Sequence, residues 1–150
     1  MRIAIGADHN GFELKNIICE FLKDKKVEYK DFGTYSREPV DYPDIAKIVA
    51  EAVARGEFDR GILICGTGLG MAIAANKVRG IRAATCHDVY SAERSRKSNN
   101  CQIMTMGAQI IGSELAKMLV DAWLKSEFQD GRSTPKVRKI MEIEKENFIK

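Results

Sequence analysis

A chain of 150 residues that is 45% hydrophobic and 30% charged can bury a proper core and reads as one ordinary soluble domain over residues 1–150. Its net charge of +3 comes from lysines and arginines scattered among acidic residues, which argues against a nucleic-acid-binding surface. Met1 to Gly6 is too short an apolar run for a secretory signal, no stretch reaches the ~18 apolar residues of a membrane span, and four dispersed cysteines with two histidines show no zinc or disulfide spacing. The expectation is a cytoplasmic protein with free thiols and no metal, cofactor, membrane or nucleic-acid partner.

Taken in order, Arg2 to Gly6 predicts a first buried strand, and Phe12 to Lys25 a helix with Phe12, Leu14, Ile17, Ile18, Phe21 and Leu22 on its apolar side. Val27 to Phe32 alternates charged and apolar residues, as an outer strand with one wet face does. Pro43 stands near the start of a helix that turns Ile45, Ile48, Val49, Ala52 and Val53 inward and closes at Gly56. The apolar run Gly61 to Cys65 is a third strand, and Gly66-Thr67-Gly68-Leu69-Gly70 turns it into a helix through Ala72 to Lys77. Ile81 to Cys86 gives a fourth strand, Tyr90 to about Ser98 a polar helix, and Gln102 to Met106 a fifth strand. Ser113 is placed to cap a helix carrying Leu115, Ala116, Leu119, Val120 and Trp123, and Ser133-Thr134-Pro135 opens a last helix that ends near Phe148. Alternating strands and helices predict a three-layer α/β fold, a five-stranded mostly parallel sheet with helices on both faces and an extra C-terminal helix. That added helix has an apolar stripe at Val137, Ile140, Met141 and Phe148; such a stripe usually packs on its own domain but equally suits covering a neighbouring subunit, and a homodimer is the favoured expectation.

The chemistry centres on Cys65 and its glycines. A tight turn into a helix aims several backbone N–H groups at one point, where negative charge is favoured. A thiol in such a place tends towards thiolate. Because a parallel sheet puts all strand carboxyl ends on one edge, Asp8-His9, Cys65 to Gly70, His87-Asp88 and Asn99 are expected around one cleft, a set suited to proton transfer beside a developing oxyanion. Each residue also has a plain structural account: Asp8 and Asp88 as helix caps, His9 as a solvated loop residue, Cys65 as a buried strand end. A dinucleotide-binding oxidoreductase fits poorly, since the pattern is Gly-x-Gly-x-Gly on the third strand rather than Gly-x-Gly-x-x-Gly on the first.

The chain resembles the ribose-5-phosphate isomerase type B family, which includes the galactose-6-phosphate isomerase subunits. The resemblance runs through Ile5-Gly6-Ala7-Asp8-His9, Asp31-Phe32-Gly33-Thr34, Val40-Asp41-Tyr42-Pro43, Ile64 to Gly70, Ala74 to Lys77, Gly80 to Ala83, Tyr90-Ser91-Ala92, Ile111-Gly112, Val120 to Leu124 and Gly131-Arg132. It implies a Rossmann-like, metal-free aldose–ketose isomerase of a small phosphorylated sugar, working as a dimer or tetramer. By the same resemblance Cys65 is the base that moves a proton between C1 and C2, with Thr67 beside it. The backbone N–H groups of Gly66, Gly68, Leu69 and Gly70 hold the enediolate oxygens, Asp8 and Asn99 hold hydroxyls, His9 helps place the sugar, and Arg132 binds phosphate. Three positions depart from the family pattern. Ser98 stands where many members have a ring-opening histidine, Gln109 where an arginine follows the fifth strand, and Lys136 (with Arg138 two residues on) where a second phosphate-binding arginine is usual. Either His87 takes over ring opening and ribose 5-phosphate is the substrate, or the substrate needs no ring opening, as with a tetrose 4-phosphate. Hexose 6-phosphates are a third possibility, and the three changed positions leave a non-catalytic sugar-phosphate-binding module as the alternative of another class.

Overall fold

The computed structural model describes residues 1–148. Five strands, β1 (Arg2–Ala7), β2 (Glu28–Asp31), β3 (Arg60–Cys65), β4 (Ala83–Thr85) and β5 (Ile103–Gly107), form one sheet in the order β2-β1-β3-β5-β4. Every pairing is parallel. β3 lies at the centre and all its residues are buried, as its uninterrupted apolar run requires.

The helices are α1 (Phe12–Asp24), α2 (Tyr42–Ala54), α3 (Leu69–Ala75), α4 (Val89–Lys97), α5 (Ser113–Leu124) and α6 (Thr134–Asn147). On one face of the sheet Ile18 and Leu22 of α1, Ala92 of α4, and Leu119, Val120 and Trp123 of α5 pack over Ile3, Ile5, Ile62 and Met104. On the other, Val49 and Val53 of α2 and Met71 and Ala75 of α3 pack over Ala4, Leu63 and Ile103. Side chains alternate across a strand, so consecutive β3 residues feed opposite layers. Among the described residues no helix is long and apolar enough to cross a membrane.

Several local expectations differ from the observed structure. Ile17 and Ile48, read as inward-facing, are exposed, because each sits at the flank of its helix's apolar stripe. The fourth strand shortens to Ala83–Thr85: Ile81 and Arg82 precede it and Cys86 follows, although Cys86 N–H still donates to Thr105 O at 3.0 Å. α5 starts one residue earlier than a Ser113 cap implies, with Gly112 at the cap position and no side-chain capping bond. Ser133 does flank α6, also without a side-chain bond. Asp88 is the helix cap among these: its carboxylate accepts from Ser91 N–H at 2.7 Å and from the Ser91 hydroxyl at 2.6 Å. Those bonds hold the exposed Asp88 carboxyl below the usual carboxylate range. Of the α6 stripe, Val137 is buried whereas Ile140 and Met141 face solvent.

Candidate active site

From β1 the chain crosses to β2 on one side, and from β3 it proceeds to β4 and β5 on the other. Neighbouring strands whose connections diverge leave a crevice beyond their carboxyl ends. Asp8 follows β1 and Cys65 ends β3, so both stand at that crevice. There a cleft of about 310 Å³ opens between the end of β1 (Asp8, Asn10), the start of α2 (Tyr42), the β3–α3 turn (Cys65, Gly66, Thr67, Gly70) and the loop after β5 (Gln109). Cys65 is only 5% exposed and forms the inner wall of the cleft, with its neighbours Leu63 and Met71 in the core behind it.

Local sequence explains the shape. Gly68 has φ 78°, a left-handed conformation that an L side chain resists, and a Cβ there would lie 2.8 Å from the Met106 backbone. The N–H of Gly68 can therefore reach back and donate to Cys65 Sγ at 3.1 Å. At Gly70 a Cβ would fall 2.3 Å from the Tyr42 ring, so glycine is what lets that ring lie against the turn. Thr67 Oγ1 accepts from Leu69 N–H at 3.3 Å. The loop after β5 is tied on by Ala108 N–H to Cys65 O at 2.9 Å and Gln109 N–H to Gly66 O at 3.0 Å. Asp8 is buried, and its Oδ1 accepts from Asn10 N–H at 3.0 Å and Gly11 N–H at 3.1 Å, so it braces the entry to α1. Among the described residues no donor reaches its Oδ2.

Asn99 and the phosphate-binding candidates lie elsewhere. A second cleft, of about 540 Å³, runs between the end of α4 and the start of α6, lined by Arg94, Lys97, Ser98, Asn99, Arg132 and Lys136 among others. Four cations there face one carboxylate of the lining, Asp130, although Lys97 also pairs with Glu93 at 2.9 Å. The arrangement suits a dianion such as a phosphate. Ser98 Oγ accepts from Arg94 Nε at 2.9 Å and from Arg94 Nη2. The one cleft expected from topology is thus two in this chain, because α4 carries Ser98 and Asn99 away from the Cys65 edge. The two histidines border neither. His9 Nδ1 accepts from Val40 N–H at 3.2 Å, and His87 Nε2 accepts from Gly107 N–H at 2.9 Å, which puts a neutral ring's proton on the other nitrogen in each case.

The family model for ribose/galactose isomerases matches residues 3–140. The chain belongs to that family. It is 56% identical over 147 residues to the ribose-5-P isomerase B of Listeria innocua, covering 98% of this chain and 99% of that one. It is also 53% identical over 144 residues to a D-erythrulose-4-phosphate isomerase of Pectobacterium atrosepticum, with 93% of each covered. Among solved structures it superposes on the ribose-5-phosphate isomerase B of Clostridium thermocellum with a TM-score of 0.96 at 55% identity, over 97% of this chain and 99% of that one. The protein is accordingly an aldose–ketose isomerase with the Rossmann-like α/β fold.

Within this isomerase, sequence reasoning missed Asn10, Tyr42 and Arg94 as cleft residues and noted Gln109 only as a departure. The signal for Tyr42 was present in the third glycine of the turn, which has no purpose until a bulky neighbour is found for it. Arg94 was legible too: it stands four residues before Ser98 on a helix, the spacing at which side chains meet.

Proposed function

We propose that this enzyme interconverts ribose 5-phosphate and ribulose 5-phosphate through a cis-enediolate, with Cys65 as the base. The sulfur removes the proton from C2 of the open-chain aldose, and the electron pair forms the C1–C2 double bond while O1 gains negative charge. The proton is returned to C1, the C2 hydroxyl proton passes to O1, and the C2 carbonyl of the ketose forms. Main-chain N–H groups of the turn stabilise the charge on the oxygens, Gly66 and Gly70 foremost, because those of Gly68 and Leu69 are bonded to Cys65 Sγ and Thr67 Oγ1; Asp8 and Asn99 take sugar hydroxyls. His9 steadies the loop over the sugar, and Arg132 and Lys136 take the phosphate, Lys136 as a point charge without a bidentate fork. Ring opening is assigned to His87, which lines neither cleft in this chain and has Nε2 bonded by Gly107 N–H, so the role requires its ring to leave Gly107 and carry a second proton. The observation that carries the reading is the sulfur at the cleft wall, hydrogen-bonded by Gly68 and sharing the cleft with Asp8.

A base cleft and a phosphate cleft with no lining residue in common are brought over one sugar most simply by a second chain. The proposal therefore includes a homodimer, or a homotetramer built from such dimers, in which each basic cleft faces the partner's cysteine cleft. Leu69 and Ile73 on α3, the helix that follows the Cys65 turn, and Ile140 in the second cleft are 57%, 64% and 45% exposed, and apolar side chains of this kind suit such a contact.

One observation favours a second reading, a tetrose 4-phosphate as substrate. The Ser98 hydroxyl is engaged by Arg94, and serine is a poor general acid, so this cleft holds a fixed cation where an acid would open a ring. A four-carbon sugar phosphorylated on C4 cannot close a furanose and needs no such acid. The test is a panel of C4, C5 and C6 phosphosugars followed by aldose–ketose interconversion, with Cys65→Ala alongside. Ribose 5-phosphate turnover lost in Cys65→Ala and weakened in His87→Ala supports the main reading, turnover confined to the tetrose supports the second, and an active Cys65→Ala removes the thiol from both.

A further inference from the structure

Cys65 is held from behind through a path that none of the cleft residues supplies. Gly68, whose N–H meets the sulfur, accepts at its carbonyl from Thr105 Oγ1 at 2.8 Å. Thr105 lies in the middle of β5 with no exposed surface, between the core methionines Met104 and Met106. Its register partner on β4 is Thr85, and the two hydroxyl oxygens are 2.8 Å apart. Each hydroxyl has one hydrogen to give. The shortest arrangement has Thr85 donating to Thr105 and Thr105 to Gly68, since the direct separation from Thr85 to Gly68 O is 3.3 Å.

A hydroxyl in a dry sheet interior is costly unless it is bonded, and valine has the same shape and an equal taste for strands. Packing alone therefore gives no reason for threonine at both positions. The reason lies in the turn. Gly68 has the freedom to rotate that its left-handed φ requires, and its carbonyl has one other bond, from Ala72 N–H at 3.1 Å in the first turn of α3. Helix ends fray, so that bond by itself is a weak anchor.

We propose that Thr105, backed by Thr85, is a positioning residue for the isomerisation: its hydroxyl pins the Gly68–Leu69 peptide, so that the Gly68 N–H stays on the Cys65 sulfur and Gly66, Thr67 and Gly70 stay in place along the cleft. The proposal rests on the reading of this turn as the reacting site. It touches no substrate atom, so its signature is loss of rate with binding preserved.

The test compares Thr105→Val with Thr105→Ser, on whichever phosphosugar the parent enzyme turns over fastest. Removing the hydroxyl at constant shape is expected to lower kcat about 10- to 100-fold, the effect of a displaced donor or a small misplacement, while KM stays within about twofold. Serine, which keeps the hydroxyl and loses the methyl, is expected to restore most of the rate. Thr85→Val, at a half-buried site, is expected to give a smaller fall in kcat of the same kind, and it carries the test if Thr105→Val does not fold. Unchanged kcat in the valine variants, or a serine variant as slow as valine, overturns the proposal. An active Cys65→Ala overturns the base assignment instead, and leaves the valine–serine comparison readable because that comparison reports on the turn.

Discussion

The four cysteines show how position decides what one residue type does. Burial pushes the Cys19 thiol up to about 12, helped by the charge of Asp31, and pushes Cys86 and Cys101 up to about 11. In the unfolded chain these thiols ionise near their ordinary value of 9.0. Between that pH and about 11 the folded chain therefore holds protons that the unfolded chain has released, and stability falls as pH rises. Each thiol contributes up to about 1.4 kcal/mol per pH unit in that window. Urea midpoints under reductant at about pH 8 and about pH 10 should show the drop, and Cys19→Ala with Cys101→Ala should flatten it; an equally steep fall in that double variant would trace the effect to other groups. The sequence marked Cys65 out from the other three, because only it precedes a run of glycines. It could not show that Tyr42 and Gln109 would share its cleft, since loop-to-loop approach is set by packing between elements far apart in the chain.

At the scale of elements, hydrophobic period together with glycine and proline punctuation was enough to find every strand and helix, and period failed where a residue sits at the edge of a stripe or where a charge is buried. Lys15 is the clearest case of the second kind. It lies in α1 with no exposed surface, and its ammonium meets Asp31 Oδ2 at the end of β2 at 2.6 Å, with the Phe12 and Tyr35 rings 5.5 Å away. Asp31 Oδ1 also accepts from Gly33 N–H at 2.8 Å. One carboxylate thus ties the helix, the outer strand and the loop that follows it. A lysine in an amphipathic helix reads as solvated, and only the spatial pairing of α1 with β2 explains its burial. Asp31→Asn keeps the bond to Gly33 but strands the ammonium. The expected loss is about 2–3 kcal/mol in chemical denaturation, short of the full cost of an orphaned buried charge because Asp31 is 28% exposed. Adding Lys15→Met should recover most of it. If the single variant matched the parent in stability, the pair would be ornamental.

For the whole molecule, topology foretold correctly that Asp8 and Cys65 would meet at the carboxyl edge of the sheet, yet it merged residues that the chain keeps apart. Asp8 and Cys65 share the crevice between β1 and β3, whereas Asn99, Arg132 and Lys136 stand where α4 ends and α6 begins. No pattern in the sequence distinguishes a site made by one chain from a site shared by two, since both leave the same residues exposed. A two-fold dimer makes the distinction measurable. In a mixed dimer of one Cys65→Ala chain and one Arg132→Ala chain, one site inherits both lesions and the other inherits none. Co-expressed chains that associate at random give such mixed dimers half the time, so two nearly inactive variants should recover about a quarter of the parent activity. If each site were built within one chain, every site in the mixture would carry one lesion and the activity would stay at the average of the two variants. Recovery would place the thiol and the phosphate cations on different chains across one sugar, and its absence would require α4 and α6 to move towards β3 within a single chain.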